Sequence, residues 1–155
     1  MLVLVLCVGT LCSCGADAAE LAGAYGIEEN IYYATLVDKA YNPDDGYAIE
    51  KKDGKAVFSV THVAIYRQAI NEEIGELKSF SLSNSNFDKL TIGEAWQEGT
   101  SAAGIRKANK AAWKTEYKSG EAFYVLLQDD GSVLVAAIKT KEGAKYCAYI
   151  RKIAK

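Results

Sequence analysis

One histidine, one proline and one methionine among 155 residues leave this chain little of what most metal and catalytic chemistry uses. The histidine is His62, and past the first fourteen residues the only cysteine is Cys147. A catalytic zinc usually has His among its three protein ligands and a structural zinc takes four Cys or His, so no metal site is expected. The Asp-Gly turns lack the ligand spacing of a calcium loop. Gly-x-x-x-x-Gly-Lys, Gly-x-Gly-x-x-Gly and Gly-x-Ser-x-Gly are absent. With them go the phosphate cradles and the serine-hydrolase elbow that such patterns build. No cofactor is expected. Cys147 and His62 are the one thiol–imidazole pair available, but "KYCAYIR" reads as mid-strand. There a cysteine is a small buried hydrophobe, not a thiolate activated at a helix N-terminus. With so little proline and no Ser/Gly-rich stretch, a long disordered linker is excluded.

Cysteine is scarce overall but crowded at the start, where "MLVLVLCVGTLCSCGADAAE" holds three of the four. No charge falls between Leu2 and Ser13, and the first charged side chain is Asp17. The run is far shorter than the ~20 residues a membrane-spanning helix needs. It matches the apolar region of a secretory signal. Such signals open with Lys or Arg, so a start upstream of Met1 is expected. Leu11-Cys12-Ser13-Cys14 resembles the lipobox of bacterial lipoproteins: an aliphatic residue, two small residues and Cys. That resemblance implies lipidation of Cys14, a signal over 1–13, a short tether over 14–26 and a single domain over 27–155. Ala16-Asp17-Ala18 offers a competing small-x-small site, and cleavage after Ala18 would release a secreted protein. Either way the chain is exported and keeps one ordinary cysteine, so a disulfide framework is excluded.

About 140 residues then remain, enough for one domain with its own core. Charge is uneven along them. Residues 1–100 carry 7 Lys/Arg against 15 Asp/Glu, and residues 101–155 carry 11 against 5. The basic half can present a surface to an anionic partner, or the halves can interleave in one sheet and mix their charges.

Turn chemistry divides the chain into strands. "FYVLLQ" and "VLVAAIK" flank Asp129-Asp130-Gly131-Ser132, a hairpin signal, and "TKEGAK" turns again into "YCAYIRKI". The result is a three-stranded antiparallel meander from Phe123 to Ile153. Every residue of Val133–Ile138 is apolar, which calls for a central strand covered on both faces. Upstream, "ENIYYATLVDKAY", "YAIEK", "AVFSVTHVAIYRQAI" and "GELKSFSLS" are further β-prone runs punctuated by "NPDDG" and "KKDGK". "TSAAGIRKANKAAWKTEYKSG" reads as one principal helix over about 101–118, capped by Thr100 or Ser101 and stopped at Gly120. On it Ile105, Ala108 and Ala112 share one face, with Trp113 at its flank. Lys107, Lys110, Lys114 and Lys118 line the other, with Arg106 beside them. The expected fold is α+β and mainly antiparallel β: about seven strands in a curled sheet or small open barrel carrying that helix.

Two features suit binding. The stripe of Arg106, Lys107, Lys110, Lys114 and Lys118 could meet an anionic polymer or lipid headgroups. Ten tyrosines, among them Tyr32, Tyr33, Tyr41, Tyr47, Tyr66, Tyr146 and Tyr149, offer flat amphipathic area for a protein or glycan. Basic–aromatic interleaving is missing, so nucleic acid is not an expected partner. Of the carboxylates, Glu72, Glu73 and Glu76 cluster in "NEEIGE", while Asp129 and Asp130 belong to a turn. "NFDKLTIGEAWQEGTSAAGIRKANKAAWKTEY" followed by "FYVLLQDDGSVLVAAI" and "YIRKI", about residues 84–153, resembles small predicted lipoproteins of anaerobic Firmicutes. That likeness implies one compact domain and a lipid anchor, and carries no catalytic residue. The expected function is non-enzymatic: an envelope protein held to the cell membrane by lipid and binding a protein or glycan. The alternatives are a hydrolase of envelope polymers using a carboxylate pair, and an inhibitor protein.

Overall fold

The structure is a computed structural model and describes residues 16–33, 44–65, 68–82, 87, 99–118, 120–141 and 144–155. Among these, nine strands form one antiparallel sheet: β1 (Gly23–Tyr33), β2 (Gly46–Lys52), β3 (Lys55–Ile65), β4 (Gln68–Glu76), β5 (Lys78–Ser79), β6 (Asn109–Glu116), β7 (Glu121–Gln128), β8 (Val133–Lys141) and β9 (Ala144–Ala154). Strands next to each other in sequence pair with each other except β4 and β5, and β9 returns to pair with β1.

The sheet order begins at β4 and ends at β5, yet only Leu77 separates these two in the chain. The Leu77 amide donates to the Ala56 carbonyl at the start of β3 (2.8 Å). Three residues on, the Phe80 amide donates to Ala112 of β6 (2.8 Å). A single bent strand therefore leaves β3 and joins β6, and the sheet curls into a nearly closed up-and-down barrel of eight passes. The gap beside β4 is bridged by Tyr117 and Lys118, whose side chains donate to Glu72 (2.6 and 3.2 Å). Gly75 holds φ at +150°, and a Cβ there would lie 3.1 Å from Thr115 Oγ1, so the seam needs a residue without a side chain.

The interior follows the period of two that strands impose. Tyr25 and Ile27, Tyr47 and Ile49, Phe58 and Val60, Trp113 and Tyr117, Phe123 and Val125, Val133, Val135 and Ala137, and Tyr149 and Ile153 make one buried cluster. Phe58 stacks on Tyr47 (6.0 Å between centroids, 16° between planes) and tilts against Phe123 at 5.6 Å. Eight strands enclose just enough space for side chains to fill or for one small ligand. Here the middle of the barrel is filled by aromatic rings. One end is plugged by the 3-10 turn Ala18–Leu21, which packs on β2 and β3. Ala18 is buried, Asp17 accepts from the Ala19 amide (2.9 Å), and the Tyr25 hydroxyl donates to the Leu21 carbonyl.

A second apolar cluster lies on the outer face of β6–β9. Tyr124, Leu126, Leu134, Ala136, Ile138, Cys147 and Ile150 are covered there by Leu82, Phe87, Ala102 and Ile105. Val133–Ile138 is buried on both faces and sits between β7 and β9, as its unbroken apolar run demands. The hairpin before it forms at Asp129–Ser132, with Gly131 at φ +88° and Asp130 accepting from the Ser132 amide and hydroxyl (2.8 and 2.6 Å).

Three expectations change. The strands number nine rather than about seven, because "AVFSVTHVAIYRQAI" divides between β3 and β4 and because residues 109–116 add a strand where a helix was expected. The principal helix is short: α1 spans only Ala102–Lys107, capped by Ser101 accepting from the Gly104 amide (3.0 Å), and residues 109–116 are β6. Alternation explains the strand. Lys110, Ala112, Lys114 and Glu116 fall on one face, while Ala111, Trp113, Thr115 and Tyr117 fall on the other, toward the core. Pairing with β7 outweighs the helix preference of the Ala and Lys residues. Finally, the described fold begins at the 3-10 turn and β1, within the stretch read as a tether. "NIYYATLVDKAY" is strand as far as Tyr33, and residues 34–43 lie outside those described.

Truncating Phe58 to Ala should lower unfolding stability by about 3–5 kcal/mol, the usual cost for a buried aromatic. Gly75→Val should cost about 1–3 kcal/mol through strained backbone and crowding at the seam. Urea unfolding of both variants beside the parent chain measures each cost.

Candidate functional site

The basic residues expected on one helix face are dispersed over three elements. Arg106 and Lys107 end α1, Lys110 and Lys114 lie on the outer face of β6, and Lys118 is in the turn leading to β7. At ~3.3 Å per residue, Lys110 and Lys118 stand roughly 26 Å apart along the barrel. Lys114 and Lys118 are neutralised at home. Lys114 pairs with Glu116 (2.8 Å) and lies over the Phe80 ring at 5.8 Å, and Lys118 pairs with Glu72 (3.2 Å). Among the described residues neither Lys107 nor Lys110 has an ion-pair partner, and both are exposed.

Lys110 and Arg106 line a cleft of about 560 Å³ with Ser79, Ser81, Phe80 and Ala16. Ala16, the first described residue, brings the chain's N-terminal side into that cleft. On the other side of Ser79–Phe80 is a second cleft of about 490 Å³ with mixed charge, lined by Glu76, Lys78, Lys114, Thr115 and Glu116. Both border β5, which is only two residues long and pairs with β6 only at Lys78–Lys114 and Ser79–Trp113.

The tyrosines are structural wherever they are described. Tyr25, Tyr47, Tyr117 and Tyr149 point into the barrel, and Tyr32 and Tyr124 lie beneath the outer covering layer. Tyr33 is half-buried; Tyr41 and Tyr66 lie outside the described residues, as does the side chain of Tyr146. Cys147 is fully buried, its thiol donates to the Tyr149 carbonyl (3.0 Å), and burial pushes its pKa far above the ordinary thiol range. His62 is exposed at a bulge of β3, with φ +57°. Two strands separate it in the sheet from β9 and Cys147, so the thiol–imidazole pair does not assemble. Cys14 lies outside the described residues.

Inside the barrel is a charged site that sequence reasoning missed. Arg151 and Asp45 are each almost fully buried and pair at 3.0 Å. The same guanidinium donates to the Tyr47 hydroxyl (2.9 Å) and sits 4.2 Å from the Tyr149 ring centroid. Burial raises the pKa of both phenols, so they stay neutral and Asp45 is the counter-charge shown for Arg151. The clue was present: Tyr149, Arg151 and Ile153 alternate on β9, so Arg151 had to face inward with them. Asp45, 106 residues away, could not be chosen as its partner.

The acidic cluster is equally committed. Glu72 accepts from Tyr117 and Lys118, and those hydrogen bonds, Tyr117 first, hold its carboxyl below the usual carboxylate range. Glu73 pairs with Lys52 (2.7 Å) and Glu76 with Lys55 (3.4 Å). Glycoside hydrolysis requires one carboxyl of a pair to keep its proton near neutrality. Glu72 is shifted in the opposite direction. Among the described residues no cluster of His, Cys, Asp and Glu could hold a metal ion.

These features define a nearly closed up-and-down antiparallel barrel with a packed centre and shallow outer clefts. No protein-family model, curated protein or solved structure matches the chain.

Asp45→Ala should cost about 3–5 kcal/mol, because Arg151 would be left charged and buried without its partner. Pairing it with Arg151→Met should recover most of that loss, since two apolar groups need no counter-charge. Urea melts of both single variants and the double close the cycle. The Tyr117–Glu72 bond has its own pH window. Glu72, with its folded pKa lowered, adds stability that is complete above its ordinary value and disappears as pH falls through the lower folded one. Tyr117, raised chiefly by that hydrogen bond, loses its contribution only as pH climbs through its raised pKa. Glu72→Gln should therefore flatten the acid limb of a stability–pH curve followed by thermal unfolding.

Proposed function

We propose that this protein is an exported binding module, acylated on Cys14 and held at the outer face of a membrane, where it binds a protein or glycan without catalysis. The observation that carries this reading is the start of the fold. Asp17 caps the turn that plugs the barrel, and Ala18 is buried in the core. Processing at Cys14 leaves both in place. Cleavage after Ala18 would remove a cap and a core residue from the turn that packs on β2 and β3.

The filled interior and the paired state of Glu72, Glu73 and Glu76 favour binding over hydrolysis. A polymer-cleaving site would need a groove with two opposed acids, one raised in pKa. For a partner, the mixed-charge cleft over Phe80 supplies lysines, carboxylates, a threonine and an aromatic ring, a composition suited to a polar protein surface or glycan.

Fatty-acid labelling in a bacterial host tests the anchor. The parent chain should incorporate label and stay with the membrane fraction, and Cys14→Ala should lose the label entirely. An unlabelled product whose mature chain begins at Ala19 would overturn the lipid-anchor reading and replace it with a secreted domain.

A further inference from the structure

We infer that the cleft between α1 and the outer face of β7–β9, around Gln128 and Asp129, is a binding site for a neutral sugar ring. This assignment rests on the binding reading above, chooses a glycan over a protein, and does not need the lipid on Cys14. The cleft holds about 420 Å³, within the range of small-ligand sites, ~300–1,000 Å³. Its floor is aliphatic, with Ile31 and Leu134 from the sheet and Ile105 from α1 buried along it. Gln128 is the residue that points to a ligand. It lines the cleft, only 6% of it is exposed, and its amide nitrogen is buried with no hydrogen-bond partner. Burying an unbonded amide is destabilising, and the packing of the barrel does not require one. Asn109 stands opposite on β6 and also keeps a buried, unbonded Oδ1, so the two amides do not satisfy each other.

The polar groups around that floor select the ligand. Asp129 follows Gln128 as an exposed carboxylate on the same cleft, and Thr100 and Ser101 add hydroxyls. An amide has a donor and an acceptor, and a carboxylate has acceptors only. The group that serves both is a hydroxyl, which gives one proton and accepts others. It can meet either end of the Gln128 amide, whose terminal torsion is broad and roughly two-fold, while donating to Asp129. A phosphate or carboxylate ligand has no such proton to give. It would also face Asp129 and Asp130 with Lys152 as the one lining cation, and Lys152 already pairs with Glu28 (3.4 Å). Arg106 and Lys107 end α1 and do not line this cleft. An ammonium ligand would suit the acids but leave the amide nitrogen unbonded. A peptide offers both kinds of group, but an extended peptide joins a sheet by adding to a free edge. Strands β7, β8 and β9 beneath this cleft have neighbours on both sides. A pyranose, an apolar ring face surrounded by hydroxyls, matches an aliphatic floor ringed by an amide, a carboxylate and hydroxyls.

The test is nuclear magnetic resonance of the nitrogen-labelled full chain, purified from its bacterial host in a detergent without a sugar headgroup. The side-chain amide of Gln128 and the backbone amide of Ser132 are followed as glucose, galactose or N-acetylglucosamine is added, each as monosaccharide and as linear oligomer. At least one neutral sugar should move both signals to saturation, and inorganic phosphate and trialanine should leave them in place. Tighter binding of an oligomer than of its monosaccharide makes the source a polymer, and equal binding makes it a free sugar. The variants are read on Ser132. Gln128→Met should weaken binding about threefold to tenfold, the usual contribution of one hydrogen bond, and leave the urea midpoint unchanged or higher, because a buried unbonded amide is lost. Asp129→Asn, which suits the same turn, should weaken binding about tenfold or more by removing a charge-assisted bond. No movement with any of these sugars would overturn the inference, as would equal movement with phosphate or trialanine. A lowered urea midpoint in Gln128→Met would also overturn it, by making the amide structural. The sugar's own anomeric signals are read in the same tube. An oligomer shortened with time would sink the non-catalytic reading and leave the site standing, so the two failures are distinct.

Discussion

Two backbone amides three residues apart, Leu77 bonding to β3 and Phe80 to β6, close the barrel and set the surroundings of everything else. A sheet of this size left open would expose two long edges, each a row of unpaired donors and acceptors available to other chains. By passing one strand from one edge to the other, the protein brings the two edges together, and Tyr117 and Lys118 bridge the gap to Glu72. Closure also creates an inside. Residues at alternate positions of all eight passes converge on one axis, and Tyr47, Phe58, Phe123 and Tyr149 can pack there only because the seam brings β6 back toward β4. The requirement for Gly75 is a local consequence of that approach.

The interior that results is apolar with one charged exception. A buried Asp–Arg pair is expensive to desolvate, and apolar replacements are often as stable. Its partners here are specific: the guanidinium meets a carboxylate from the start of β2, a phenol from the same strand, and an aromatic face from its own β9. Strands β2 and β9 do not pair with each other; β1 lies between them. The cluster therefore ties together strands the backbone ladder leaves unconnected, and a one-residue slip of either would put Arg151 or Tyr47 outside.

The outside is built by the same closure. Clefts border β5 on each side of Phe80, and because β6 is a strand, its lysines are spread along the barrel rather than gathered on a helix. Partner choice follows from position. Lys114 and Lys118 reach carboxylates of β6 and β4, whereas Lys107, Lys110 and Arg106 stand near the N-terminal turn. Thus the even stripe foreseen on a helix is broken up along the barrel, with Lys114 and Lys118 each paired to a carboxylate.

Much of this was written in local sequence. The Asp-Asp-Gly-Ser hairpin, the meander after Phe123, the central position of Val133–Ile138 and the Ser101 cap each depend on residues within one turn or one strand period, so neighbouring side chains were enough to reveal them. The resemblance of Leu11–Cys14 to a lipobox is likewise a short-range pattern. Tertiary structure alone decided matters that hang on partners far apart in the chain. Residues 109–116 carry helix-forming Ala and Lys, and became strand because β7 and β5 offered backbone partners on both sides. Asp45 found Arg151 across 106 residues, and Ala16 came to lie beside Lys110, through a closure that no local window contains. Local propensity chooses among conformations of nearly equal free energy. Long-range hydrogen bonds and burial, summed over a whole barrel, make the final choice.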